Sequence, residues 1–316
     1  MKVRTVMCAA LAMALGMPMM AAAQAPPQGA PAQAAAVQAQ TPPIRIYIRG
    51  GLKTHGDGEH DYPQFLADWS KLLTARGAIV DGGLSFPSAE QLADTDVIVM
   101  YKGDAGYMTL RERQALEDFL ARGGGLVGAH DAICADDEVW WSTIFGGAKR
   151  HGETNFTLRA EVPYTIEAPN DPIMQGMTNF TITDEAFFKM TWAKRPNSDD
   201  PAVTVLASAK IADTPSAKGF AGTQVPQIWT YERPFFRSLG GQQPFRAFVW
   251  MQGHVYENFS HPQVQPMLLR AIAWAAKRPI DSLMHERPAG RMGGGGRRGG
   301  GPGAAGAPGG ARGGGN

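Results

Sequence analysis

Cysteine is almost missing from this chain, with two residues in 316, Cys8 and Cys134. Cys8 lies in an N-terminal stretch expected to be removed, so the folded part keeps one thiol and can close no internal disulfide. A zinc cluster built on cysteines is excluded for the same reason. Charge is absent from residues 26–43, of which all but Val37 and Thr41 are Pro, Ala, Gln or Gly. Such a stretch reads as a tether, not a folded unit. Acids and aromatics are both absent from residues 287–316, where 15 of 30 residues are glycine and five are arginine. A segment of that kind cannot bury enough apolar surface to fold. Without a ring to stack on bases, it reads as a solvated tail before it reads as a nucleic-acid binder.

What is present at the N-terminus is a three-part leader. Lys2 and Arg4 precede an apolar run from Val6 to Met20, and small residues follow to Ala25. This is the plan of a cleaved secretory signal peptide, and the polar Gln24 and the linker beyond it argue against a membrane span. The chain therefore divides into a signal at 1–25, a linker at 26–43, a folded domain at 44–283 and a Gly/Arg-rich tail at 284–316. The expected location is the periplasm or the exterior. The leader and residues 287–316 carry seven of the 30 bases and no acid, which leaves 23 bases against 29 acids in the rest. An acidic domain binds phosphate backbones poorly, so no nucleic-acid partner is expected and a small neutral or cationic ligand fits better.

Within the domain, Ile44–Arg49 alternates β-branched and charged residues and is expected to be the first strand. Phe65, Leu66, Trp69, Leu72 and Leu73 recur at helical spacing after a polar loop, with Pro63 in the first turn and Gly77 past the end. Ile79-Val80 and Val97–Tyr101 read as strands. Ser88-x-x-Gln91 and Thr109-x-x-Glu112 read as capping boxes, the second opening a helix whose apolar face is Leu110, Leu116, Phe119 and Leu120. That helix ends at Gly123, and the apolar Leu126–Ala129 then reads as a buried strand. Strands alternating with helices at this spacing predict an α/β fold with a doubly wound, mostly parallel sheet. Later strands are expected at 156–162, 202–207, 227–231 and 245–251, with a last helix over 262–277 that carries Met267, Leu268, Ile272 and Trp274 inward.

In open α/β sheets, ligands bind beyond the carboxyl ends of the strands. His130 and Asp131 stand at the end of one such strand, which makes them the first candidate catalytic pair. The loop His55-Gly56-Asp57-Gly58-Glu59-His60-Asp61 follows the first strand, and its two glycines let both imidazoles and Glu59 turn to one point. His and Glu are the ligand types of zinc and similar divalent ions, and also the usual acids and bases. The other reading of His60-Asp61 is a helix start, with Asp61 as the cap. Asp184-Glu185 is either a solvated turn or a pair of carboxylates at a site, with Glu185 as the catalytic candidate. Trp229, Tyr231 and Glu232 are either a sugar-stacking strand or core. Met251-Gln252-Gly253-His254 repeats the arrangement of strand, glycine and histidine, and Asn258 follows as a candidate substrate ligand. Cys134 reads as a small buried hydrophobe more readily than as a nucleophile.

Taken together and in this order, these segments resemble the ThuA-like, trehalose-utilisation family, whose domain is similar to class I glutamine amidotransferases. The motifs are the loop from His55 to Asp61, Gly123–His130, Asp184-Glu185, Pro226–Glu232, Gly253-His254 and the closing 271–276 helix. The resemblance implies a flavodoxin-like fold with helices on both faces. Amidotransferases place a cysteine nucleophile at the turn that here carries His130-Asp131, so glutamine hydrolysis is not expected. The family is linked to sugars oxidised to 3-keto forms. The expectation is therefore an exported hydrolase or lyase on such glycosides. In it His130 or Glu59 takes a proton, and zinc or manganese held by His55, His60 and His254 stabilises the enediolate; no nucleotide cofactor is involved. The alternative is a non-catalytic sugar-binding module.

Overall fold

The computed structural model describes residues 42–153, 155–235 and 243–287. The signal peptide, nearly all of the linker and most of the tail expected from the sequence lie outside the described residues. The chain opens as β1 (Arg45–Gly50), α1 (Tyr62–Ala75), β2 (Ile79–Gly83), α2 (Ala89–Ala93), β3 (Val97–Tyr101), α3 (Leu110–Ala121) and β4 (Gly125–Ala129). It continues through α4 (Glu138–Phe145), β5 (Gly147–Ala148), β6 (Ala160–Ile166), β7 (Phe180–Asp184), β8 (Thr191–Trp192), β9 (Thr204–Lys210), β10 (Gln224–Arg233), β11 (Phe245–Trp250) and α5 (Val264–Ala275).

Nine strands form one sheet in the order β2-β1-β3-β4-β11-β10-β9-β6-β7. The first five run parallel, and β10, β9, β6 and β7 extend the sheet with antiparallel pairings. Side chains alternate across a strand, and that period sorts the core into two layers. Ile46, Ile48, Val97, Val99 and Phe248 meet Phe65, Trp69 and Leu73 of α1 and Met267, Leu268 and Ile272 of α5 on one face. Tyr47, Ile98, Met100, Leu126 and Val249 meet Leu116 and Phe119 of α3 and Trp141 and Phe145 of α4 on the other. Each such large side chain, fully buried, stabilises the fold by roughly 1.5–3 kcal/mol. This is the doubly wound α/β architecture that the alternation of strands and helices predicts.

Local chemistry sets the element ends. Both capping boxes form: the hydroxyls of Ser88 and Thr109 accept from the amides of Gln91 and Glu112, and those side chains reach back to the cap amides. Leu110 departs from expectation. It is the first residue of α3 and is 85% exposed, because the helix buries only the stripe that begins a turn later. Asp61 stands at the N-cap of α1 but makes no capping bond. Its carboxylate is drawn instead to Lys53 Nζ, 2.6 Å away.

The parallel register places Gly50 beside Tyr101, and Ala129 beside Trp250. The carboxyl ends of β1, β3, β4 and β11 therefore share one edge of the sheet. The segments that follow them, at 51–61, 102–109, 130–137 and 251–256, build the site. Among the described residues no helix is long and apolar enough to cross a membrane.

Candidate functional site

Three of these segments each deliver one histidine to the same point. His130 is the first residue after β4 and is fully buried. His60 ends the loop after β1, and His254 follows the turn after β11. The loops are tied together by backbone: His60 N–H donates to His254 C=O at 3.0 Å, and Glu59 bridges to Val255. His60 Nε2 lies 2.8 Å from His130 Nε2 and 2.9 Å from His254 Nδ1. His60 and His130 both take positive φ, at 46° and 53°. Residues with a Cβ occupy that region only where the surroundings enforce it. Gly253, at φ 126°, supplies the turn that aims His254.

The outward nitrogen of each ring has its own partner. His130 Nδ1 donates to the Met251 carbonyl at 3.3 Å, and His60 Nδ1 meets Thr54 Oγ1 at 2.9 Å. His254 Nε2 faces Glu59 Oε1 at 3.6 Å. Such outer contacts orient the rings and turn one nitrogen of each toward the shared point. Burial, reinforced by the neighbouring imidazoles, lowers His60 to about 2, and burial lowers His130 to about 4. Neutral imidazole is the form that binds a metal ion. The three inward nitrogens lie within 4.8 Å of one another. The arrangement fits a cation held between them.

Two carboxylates flank the same point. Glu185 sets Oε2 3.9 Å from His130 Nε2 and Oε1 3.6 Å from His254 Nδ1. Its burial, with the charges of Asp131 and Asp184, pushes it up to about 8. Asp131 Oδ2 is 3.9 Å from His130 Nε2 and 4.0 Å from His60 Nε2. Burial works against its charge, but His130 and Lys149 hold it well below the usual carboxylate range. The Lys149 Nζ is itself buried, 3.8 Å from Asp131 Oδ1 and 3.9 Å above the ring of Phe187. Phe187 in turn stacks on His130 at 5.0 Å. A cavity of about 460 Å³ lies beside this cluster, lined by His60, Asp131 and Tyr62 together with Lys102, Asp104 and His151. That volume is within the usual range for small-ligand sites.

Of the residues picked from the sequence, His60, His130, Asp131, Glu185 and His254 meet here. Glu59 stands behind His254, where it also faces Arg159 at 3.6 Å. His55 does not join the three nitrogens. It is exposed, its ring edge-on to His60 at 4.0 Å, and the third of the nitrogens that could hold a metal ion belongs to His130. Trp229 is fully buried, donates to the Phe145 carbonyl at 2.7 Å and has no face free for a sugar. Glu232 sits at the opposite edge of the sheet. Because β10 runs antiparallel to β11, its end lies beside Arg246 near the start of β11, and Arg246 Nε is 3.1 Å from Glu232 Oε1. Asn258 is occupied as well, donating to Asp184 Oδ2 at 2.7 Å and to the Thr183 carbonyl at 2.9 Å. Cys134 is buried, and its thiol donates to Asp131 Oδ1 at 3.3 Å.

Asp184 and Gln252 were not singled out as site builders. Asp184 is fully buried and collects the amides of Glu185, Gly253, His254 and Val255. Gln252 donates to the Glu185 carbonyl and to Gln227 Oε1. The signal for Asp184 was its place before Glu185 at a strand end. Lys149 gave no signal, since nothing in its sequence context marks a buried lysine.

The comparisons agree with this architecture. A ThuA-like protein from Bacteroides uniformis shares 19% identity, with 78% of this chain and 97% of that one covered at a TM-score of 0.56. One from Parabacteroides merdae shares 15% identity, with 74% and 90% covered at a TM-score of 0.54. At these identities they show the fold. No curated protein matches the sequence. Residues 59–275, which include His60, His130, Glu185 and His254, match the family described as trehalose utilisation, and the chain belongs to this ThuA family.

Proposed function

We propose that the protein is an exported hydrolase or lyase that acts on oxidised, 3-keto glycosides with the help of a divalent cation, zinc or manganese. The observation that carries this reading is the convergence of three buried imidazoles, His60, His130 and His254, with the carboxylates of Asp131 and Glu185 beside them. The family's description, trehalose utilisation, supports a carbohydrate substrate. His60, His130 and His254 would hold the ion, with Asp131 within reach as a fourth ligand. Bound there, it supplies Lewis-acid stabilisation of a negatively charged oxygen.

A ketone at C3 acidifies the proton on C2. Glu185, facing the point from the side of His130 and His254, takes that proton, and the electron pair forms C2=C3 with charge on the C3 oxygen. As C3=O reforms, C1=C2 forms and the C1–O bond breaks. The leaving oxygen keeps the pair and takes the proton back from Glu185. Water adding across C1=C2 completes a hydrolysis; without it the enzyme is a lyase. Because His130 belongs to the ligand set, the proton transfer foreseen for it passes to Glu185.

The test is metal content and turnover on one preparation, purified without chelator or affinity tag and assayed with 3-keto-trehalose. Near-stoichiometric zinc or manganese is expected, lost together with activity in His130→Ala while the fold is kept. Full activity in the metal-free protein, or full metal in that variant, would overturn the proposal.

A further inference from the structure

One polar atom in the cavity is left over by everything described so far. Tyr62 opens α1 two residues after His60, so the start of one helix sends both side chains to the same place. Its ring is clamped, tilted over His60 at 5.2 Å and edge-on to Tyr101 at 4.5 Å. The residue is 1% exposed, yet its hydroxyl has no hydrogen-bond partner among the described residues. An orphaned buried hydroxyl costs about 1–3 kcal/mol, and such groups are uncommon enough to require an explanation. Fold stability supplies none here, because phenylalanine would fill the same space without that cost.

The surroundings keep room beside the hydroxyl. A Cβ added at Gly103 would lie 3.3 Å from Tyr62 Oη and contact nothing but this side chain within 4 Å. One added at Gly51 would meet the Tyr62 ring at 3.0 Å. Glycine at both positions leaves the ring and its hydroxyl seated without a clash. Tyr62 lines the same cavity as His60 and Asp131. A phenol is a donor at neutral pH, and here the donor is fixed and free.

We infer that Tyr62 is a catalytic residue whose hydroxyl donates a hydrogen bond to the substrate oxygen that gains negative charge as the C2 proton leaves. The inference rests on the proposed keto-glycoside reading for the identity of that oxygen. A donor held in place before the charge appears needs no reorganisation when it does. The hydroxyl is thus left without a protein partner because its partner is the substrate.

The experiment compares the parent with Tyr62→Phe and Gly103→Ala, using 3-keto-trehalose as the probe. Tyr62→Phe is expected to keep its metal and to melt at or slightly above the parent temperature. Its kcat should fall about 10²–10³-fold, the usual loss on removing one such donor, with KM within about threefold. Gly103→Ala, which sets a methyl against the hydroxyl, should fold normally and lose kcat/KM. A Tyr62→Phe variant that melts several degrees lower would show a structural partner and overturn the inference, as would an unchanged kcat or a change confined to KM. If the parent does not turn the probe over, the proposed reaction has failed, and calorimetric binding of 3-keto-trehalose decides the rest. A tenfold weaker affinity in Tyr62→Phe supports a ligand for the hydroxyl, whereas equal affinity, or no binding to the parent, overturns it.

Discussion

Replacing Asp184 by alanine should damage both the fold and the site, and the size of the effect can be worked out from its partners. Oδ1 accepts from the amides of Glu185 at 2.7 Å and His254 at 3.1 Å. Oδ2 accepts from the amides of Gly253 at 3.2 Å and Val255 at 3.3 Å and from Asn258 Nδ2 at 2.7 Å. The alanine variant strands five donors around a fully buried position. Each orphaned donor costs about 1–3 kcal/mol on its own, but the costs do not add, since water can enter the gap. A total of about 3–5 kcal/mol, the range for uncovering one side of a buried charged network, is reasonable. For a domain of this size each kcal/mol lowers Tm by roughly 2–4 °C, so a fall of about 6–20 °C is expected in a calorimetric or circular-dichroism melt. Asp184→Asn keeps one acceptor and should fall between the two. Because the stranded amides include that of His254, Asp184→Ala should also release the proposed metal at lower chelator concentration than the parent. A melt within 2 °C of the parent, with metal retained, would refute the claim that this carboxylate builds the His254 turn.

Two further substitutions separate the two edges of the sheet. Glu185→Gln should abolish turnover of 3-keto-trehalose while leaving the fold intact. Glu232→Gln should leave kcat/KM unchanged and cost at most about 1 kcal/mol in a denaturant titration, since its pair with Arg246 is partly exposed. Burial, with the charge of Asp131, pushes the Cys134 thiol up. At Cys134 the native protein should therefore resist a thiol reagent at pH 8 and react once unfolded; fast native labelling of Cys134 would contradict the burial.

The parallel half of the sheet was legible because buried strands and amphipathic helices leave different periods, and the capping boxes marked helix starts to the residue. Strand ends then pointed to His130 and His254. What the sequence hid was strand direction: nothing in Ile228–Glu232 says that β10 runs back toward the opposite edge, which carries the candidate Glu232 away from the cluster. His55 and His60 share one flexible loop, and the choice between them depends on a backbone bond from His60 to His254, some 194 positions away. The separation of roles among the carboxylates was likewise invisible, because Asp184 and Glu185 are adjacent in sequence and differ only in what surrounds them. Nothing in the sequence marks Tyr62. Its significance lies in a missing contact, and a sequence does not record those.

The meeting of His60, His130 and His254 also has a topological side. The rings lie at the ends of three parallel strands, with 70 positions between the first and second and 194 between the first and last. An ion bound to all three would act as a cross-link on the unfolded chain, and by loop-closure arithmetic tying off 70 residues is worth about 4 kcal/mol. Disulfides supply such a restraint in many small domains, and among the described residues Cys134 is free. On this view chelation would unfasten the fold as well as silence the site, and the protein's resistance to heat and proteolysis would follow the metal supply around it.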